Sequence, residues 1–427
     1  MVSIQRIWSR EILDSRGFPT LETAVASSTG VIAVASVASA VTIRKYEAME
    51  LRDNDPKRYL GKGVSKGVEN IAQKISPQLV GMDPTRQVDI DQKLIALDGT
   101  VEKKNLGANA ILSVSFAVLK LGAMVSGLPL YKWVHQLAKV TGSVGAGDVV
   151  GIPTPIFNML AGGAYGAGNL DFQEFQIIPA SSKPFSEALR GGVEVYHKIL
   201  EILKRRGAVH SVSDEGGYAP NLFTNVDALD VNVEAITGAG WQVGSDFFLG
   251  LDVAADNFYK GGNYSIKDLS QALSASNLIS FFENLHKQYR LTIIEDPMQE
   301  DDWKGWSEIM NRLGSKALIV GDDLLSTNPE RVKRATELQA CNAIVVKPNQ
   351  IGTVTETLNV VKQARMARWK VIVSHRAGET NDWLIADFGV GVRADYVKFG
   401  APARGERVAK YNRLLNIEAE IALEKKK

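Results

Sequence analysis

The sequence predicts an α/β protein, with an N-terminal α+β domain over residues 1–140 and a β/α barrel domain over residues 141–427. Three observations lead there. Five apolar, β-rich runs between Phe248 and Gly400 each end in a residue able to do chemistry: FLGLD at Asp252, LTIIE at Glu295, ALIVGD at Asp322, AIVVK at Lys347 and VIVSH at His375. Helix-like segments separate the first four, which is the rhythm of a parallel barrel. The first forty residues instead alternate at a period of two, and from Ser65 to about Leu137 the period becomes helical.

In chain order, Ile4–Leu13 and Leu21–Ala26 read as strands of a meander turned at Asp14-Ser15-Arg16-Gly17. Segments 65–79, 86–97 and 107–126 carry apolar residues three and four apart and read as helices. The Gly-rich stretch Thr141–Gly151 is the linker candidate. Two strand-like runs follow, Thr154–Leu160 and Phe172–Pro179. After them come a long helix at Ser186–Arg205, a DEGG turn at Asp214–Gly217 and a helix over about 226–239. The βα alternation then runs to Gly400, and a last helix reaches the basic end at Lys427.

Strand ends that carry chemistry in a parallel barrel meet on one face. Three carboxylates, a lysine and a histidine at such ends therefore converge on one pocket, and oxygen donors without a Cys or His cluster suit a hard cation such as Mg²⁺. An Asp at a strand end commonly caps the next helix. Asn328-Pro329-Glu330 already supplies that cap after Asp322, leaving Asp322 free. Glu295 is followed by Asp296-Pro297, which predicts extended backbone at Asp296.

The net charge of +1 offers no field for nucleic acid or an anionic membrane. The single cysteine, Cys341, excludes an intrachain disulfide, fits a reducing compartment and reads as a small core residue. Met1–Arg16 alternates and carries early charge, unlike a signal peptide. Thr23–Ile43 lacks charge but also lacks the Leu, Ile and Phe density of a membrane span, and reads as strands around a turn at Ser27–Gly30.

Long motifs cover nearly the whole chain: DSRGFPTLE (14–22), YEAMELRD (46–53), LGANAILSVSFA (106–117), SDEGGYAPN (213–221), IIEDPMQEDDWKGW (293–306), VGDDLLSTN (320–328), KPNQIGTVTETL (347–358), SHRAGET (374–380) and GAPARGERVAKYNRLL (400–415). With them the chain resembles the enolase family. The resemblance implies that the first domain caps an eight-stranded barrel whose first strands depart from simple βα order. It implies Mg²⁺-dependent dehydration of 2-phospho-D-glycerate to phosphoenolpyruvate, the glycolytic and gluconeogenic hydro-lyase step. Asp252, Glu295 and Asp322 would hold the tighter Mg²⁺, and Lys347 would be the base, its pKa lowered by two divalent cations and Lys398. Glu215 would be the acid, with Glu174 as its partner. Lys398 would bind the substrate carboxylate and Arg376 the phosphate. Gln173, Ser374, His375, Glu295 and Asp322 complete the substrate pocket. A cytoplasmic homodimer or larger homo-oligomer is implied, with a cell-surface or secreted pool as for some enolases; no nucleic acid or membrane partner is expected.

Three departures touch the rim. Val34–Lys45 (VASVASAVTIRK) has no glycine where the family carries a flexible PSGAST loop, and Ser39 is the residue that would stand in for the loop serine at a second, substrate-dependent Mg²⁺. Tyr165 replaces a family histidine, and Ala377 a family serine, in the substrate pocket. Beside the enolase reading stand two others: a related 2-hydroxy-acid dehydratase, and a catalytically impaired homologue with a binding role, for which Lys425–Lys427 would be a surface feature.

Overall fold

The computed structural model describes residues 2–40, 44–166 and 168–425. The N-terminal meander forms as three antiparallel strands, β1 (Ile4–Leu13), β2 (Pro19–Ser27) and β3 (Ile32–Ser36). The first turn is fixed by Asp14, whose Oδ1 accepts from the backbone N–H of Arg16 at 2.8 Å and Phe18 at 3.0 Å, with Gly17 at φ +77°. The uncharged stretch that begins at Thr23 is thus strand, turn and strand up to Ser36, as its composition predicts; residues 41–43 lie outside the described residues.

Helix Ala108–Val125 covers the sheet, and helices Gln87–Asp98 and Leu130–Thr141 pack against it in turn. Ala108–Val125 is apolar and long enough to cross a membrane, but 83% of it is buried inside the protein, against β2 and β3. Segment 65–79 is helical, as expected, yet not uniformly: Ile71–Ile75 is a π-helical turn between two α-helical pieces. Pro77, in the last piece, lacks the N–H that an unbroken α ladder needs there.

Eight strands then close a barrel: Thr154–Ala161, Glu174–Pro179, Phe247–Asp252, Ile293–Glu295, Leu318–Gly321, Ala343–Val346, Lys370–Ser374 and Tyr396–Lys398. The second strand runs antiparallel to both neighbours, and two helices, Phe185–Arg205 and Asn225–Gly238, separate it from the third. From the third strand onward neighbours are parallel, and the eighth closes on the first through Val397 opposite Pro155. Ile156, Ile178, Ile293, Val320, Ala343, Val345 and Ile372 fill the barrel interior, and the helices bury a larger apolar layer outside it. Cys341 lies in this outer layer, buried, as a small core residue.

The two domains meet over the carboxyl ends of the strands. Ser39 and Gly378 exchange backbone hydrogen bonds of 2.7 and 3.1 Å. A Cβ on Gly378 would lie 2.3 Å from Ser39 Oγ and 2.5 Å from Asp14 Oδ2, so only glycine permits this approach. Asp91, from the first domain, caps the barrel helix Val354–Met366 by accepting from the backbone N–H and hydroxyl of Thr355.

Candidate active site

Barrel register sets the floor of the pocket. Glu174, Asp252 and Glu295 lie opposite one another on the second, third and fourth strands. Because the second strand is antiparallel, its first residue sits at the same end as the others' last. Asp322 and Lys347 follow the fifth and sixth strands; Ser374 and Lys398 end the seventh and eighth and lie opposite each other. The result is a cavity of about 170 Å³ lined by Glu174, Asp252, Asp322, Lys347, Ser374 and Lys398, with Gln173, Tyr165, Glu215, His375, Arg376 and Ala377 around it.

Lys398 is the hub. Its Nζ lies 2.7 Å from Glu295, 3.2 Å from Asp252 and 3.3 Å from Glu174. Burial works against its charge, but these acids hold its proton far above the usual lysine range. Burial in turn raises the acids. Asp252 is pushed up to about 6, opposed by Lys398, and Glu174 to about 7, with Glu215 adding to the rise. Glu295 is driven well above its ordinary value, by burial first and Asp252 second. Asp322 goes the other way: burial opposes its charge, but Lys347 and Lys398 outweigh that and lower it. Lys347 pairs with Asp322. Burial pulls the Lys347 pKa down, yet Asp322 leaves it raised; the lowering expected from the sequence is that of the site with divalent cations on Asp322 and its neighbours.

Whether the acids fit a divalent cation can be read from their oxygens. Asp252 Oδ1, Glu295 Oε2 and Asp322 Oδ1 are buried and have no hydrogen-bond partner among the described residues. A buried orphan oxygen is costly, and three hard oxygens on successive barrel strands suit Mg²⁺. By distance the acids fall into two groups, Asp252–Glu295–Asp296 and Asp296–Asp322–Asp323, each with ligand atoms within 4.8 Å. Asp296 is common to both, but each of its oxygens already accepts a backbone hydrogen bond. They accept from the backbone N–H of Asp322 at 3.0 Å and Asp323 at 2.7 Å. The free oxygens therefore favour Asp252, Glu295 and Asp322 as the ligand set.

Asp296 also corrects an expectation. It is not extended but has φ +43°, which turns its carboxylate onto the next strand's turn. Asp tolerates that region better than most residues.

In the same cavity lining, Glu215 Oε2 lies 3.5 Å from His375 Nε2 and accepts from Asn158 Nδ2 at 3.3 Å. Arg407, fully buried on the last helix, puts Nη1 2.6 Å from His375 Nδ1. Arginine only donates, so Nδ1 accepts and the imidazole proton sits on Nε2, facing Glu215. Burial and Arg407 hold the His375 pKa well below its ordinary value, so the ring is neutral. Gly400, at φ +87°, makes this possible: a Cβ there would meet the Glu215 carbonyl at 2.5 Å and His375 Cε1 at 3.1 Å.

Arg376 is held by Glu47 through two contacts, 2.9 and 3.2 Å. Gln173 Nε2 donates to Asp252 at 3.1 Å. Tyr165 is neutral: burial, Glu215 and Glu174 raise its phenol well above the usual range. Ser374 Oγ donates to the His375 carbonyl at 3.1 Å, and the Ala377 carbonyl accepts from Arg407 at 2.6 Å. Glu295 contacts the cavity's Lys398 without lining the cavity, and Ser39 does not line it either. Its buried hydroxyl donates to Asp14 and accepts from Arg16 Nη2 at 3.2 Å, and its backbone is tied to Gly378.

Sequence reasoning missed Arg44, Glu47, Asn158, Gln176, Asp296, Asp323 and Arg407. Only Asp296 and Asp323, next to Glu295 and Asp322, carried a local signal. Gln176, two residues from Glu174 on the same strand, donates to it at 2.9 Å, and the others reach the site from distant segments.

Two family profiles match the chain. The one described as the enolase N-terminal domain covers residues 4–134, and the one described as the enolase C-terminal TIM barrel domain covers residues 149–426. With an N-terminal α+β domain over a closed eight-stranded barrel, and an acid cluster at the barrel's carboxyl end, this chain belongs to the enolase family.

Proposed function

We propose that the chain catalyses the reversible dehydration of 2-phospho-D-glycerate to phosphoenolpyruvate and water. The observation that carries this is the pairing of three orphaned carboxylate oxygens with Lys347 and Glu215 in the lining of one cavity. Removing a proton next to a carboxylate builds charge on a group that is already anionic. A Mg²⁺ held by Asp252, Glu295 and Asp322 would supply electrostatic stabilisation of that charge.

The chain's own residues divide the remaining work. Lys347 takes the C2 proton, and the C–H electron pair becomes the C2=C3 double bond. The C3–O bond breaks, and Glu215 gives its proton to the departing hydroxyl, which leaves as water. Glu174, which burial pushes up to about 7, is about half protonated near neutrality and so shares the pocket's negative charge with Glu215. Neutral His375, oriented by Arg407, faces Glu215 with its N–H. Lys398 and Arg376 meet the substrate's carboxylate and phosphate. A cytoplasmic homodimer serving glycolysis or gluconeogenesis accompanies this proposal, on the family resemblance.

The test is steady-state formation of phosphoenolpyruvate from 2-phosphoglycerate while Mg²⁺ is titrated. Turnover in the ordinary enzymatic range supports the reading. Its absence, with a divalent cation still bound, would replace it with a second one: a related 2-hydroxy acid as substrate. Arg44, Tyr165 and Ala377 on the pocket wall favour that alternative.

A further inference from the structure

A buried line of hydrogen bonds joins Arg376 to Lys347 by way of the first domain. Glu47, from that domain, grips both terminal nitrogens of Arg376, at 2.9 and 3.2 Å. The same carboxylate accepts from Gln350 Nε2 at 3.4 Å. Gln350 Oε1 accepts from the Thr327 hydroxyl at 2.6 Å, and the Thr327 oxygen accepts from the backbone N–H of Lys347 at 3.0 Å. The longest link, Gln350 to Glu47, is braced by a 2.8 Å backbone bond from the Ala48 N–H to the Gln350 carbonyl. All four side chains are buried, and neither Thr327 nor Gln350 lines the cavity. A carboxylate paired with arginine only accepts, so the amide turns Nε2 to Glu47 and Oε1 to Thr327. That takes the one hydroxyl proton and leaves the Thr327 oxygen to accept from Lys347. Each link therefore fixes the next.

The backbone at Thr327 is a second, independent observation. Ser326 and Thr327 have φ of +47° and +50°, in the left-handed region. A β-branched residue there is an outlier. Such backbone persists only where its surroundings hold it, and it gathers at functional turns. Here it brings the Thr327 hydroxyl from the turn after the fifth barrel strand to the end of the sixth, where Lys347 and Gln350 meet it.

We propose that Thr327 and Gln350 are positioning residues that hold the base and the phosphate-binding arginine in one frame. Thr327 fixes the backbone from which the Lys347 side chain rises. Gln350 fixes the carboxylate that sets Arg376. The roles given to Lys347 and Arg376 rest on the reaction proposed above; the hydrogen-bonded line does not. A fixed spacing between base and anion clamp matters, because a misplacement of about 1 Å in a reacting pair can cost about 10²-fold in rate.

Kinetics of the full-length protein on 2-phosphoglycerate separate the two halves. Thr327→Val removes the hydroxyl at constant shape and is expected to lower kcat about 3- to 10-fold, the worth of one hydrogen bond, with KM little changed. Gln350→Glu keeps an oxygen for Thr327 but sets a like charge beside Glu47, and should raise KM about tenfold with kcat little changed. Gln350→Met removes both links and should do both. Thr327→Ser restores the hydroxyl and should return kcat close to wild type. Wild-type kcat and KM in Gln350→Met, or no gain of Thr327→Ser over Thr327→Val, would overturn the proposal. Hydrogen exchange reads the line without substrate. The Lys347 backbone amide should exchange faster in Thr327→Val and Gln350→Met than in the wild type, and at the wild-type rate in Thr327→Ser. An unchanged rate in Gln350→Met would also overturn the proposal. A wild type that does not turn over 2-phosphoglycerate but shows this exchange pattern would sink the reaction and leave the line standing.

Discussion

The floor and the rim of the pocket use the same residue types but hold them differently. On the floor, Glu174, Asp252, Glu295 and Lys398 stand on neighbouring barrel strands, so hydrogen-bond register fixes their spacing. At the rim, ion pairs cross between domains: Arg44 on Asp323, and Glu47 on Arg376. Floor residues cannot shift without breaking the barrel. Rim residues lie on loops outside that ladder, and Tyr165 and Ala377, after the first and seventh barrel strands, are among them. The comparison teaches that strand register holds the buried acids and Lys398, while ion pairs between the domains hold the rim, where residues can change without loss of the barrel.

Breaking the floor should cost most. Lys347→Ala is expected to lower turnover by about 10²- to 10⁴-fold, the usual worth of a general base, while the protein still melts cooperatively and binds one divalent cation. Turnover close to wild type in that variant would remove Lys347 as the base. At the rim, Arg376→Lys loses a planar, two-pronged contact. KM for 2-phosphoglycerate should rise about tenfold with kcat little changed, and a kcat loss larger than the KM rise would move Arg376 from capture to chemistry.

Tyr165→His tests whether the rim has merely drifted. It should raise kcat/KM on 2-phosphoglycerate several-fold, within the factor of about ten that one hydrogen bond supplies. A fall would mean that this corner has been rebuilt around the neutral phenol.

The smallest effect extends the comparison to the domain seam. Asp91 is fully buried and accepts four hydrogen bonds, from Gln87, Ser115 and twice from Thr355. Burial lifts it from 3.8 to about 6 against the pull of those donors. The folded chain therefore holds this proton more tightly than the unfolded chain, so its contribution falls as pH rises from about 4 to 6 and stays low above that. Asp91→Asn, which cannot titrate, should show a flatter Tm-against-pH curve between pH 4 and 7. A curve as steep as the wild type's would show that the donors keep this carboxylate charged.

Much of this was legible in the sequence, for a local reason. A strand's last residue is visible as the end of an apolar run, so Asp252, Glu295, Asp322 and Lys347 could be placed on one face before any contact was known. The cap at Asn328 was equally local, and the side chain does accept from Glu330 at 3.0 Å. Asp296 was misread because the residue before proline is normally extended; the backbone donors of the next strand's turn, invisible in the sequence, outweigh that preference.

By itself the sequence determined the order of elements, the polar strand ends and the donor types, because periodicity and charge are written residue by residue. Only the tertiary structure decided which oxygens remain free, that Arg407 fixes the His375 proton, that Ser39 is locked in the seam and that Arg44 reaches Asp323. Each of these depends on segments tens to hundreds of residues apart meeting in a buried space. There an unpaired polar atom costs enough to fix the partner, and no local pattern encodes that cost.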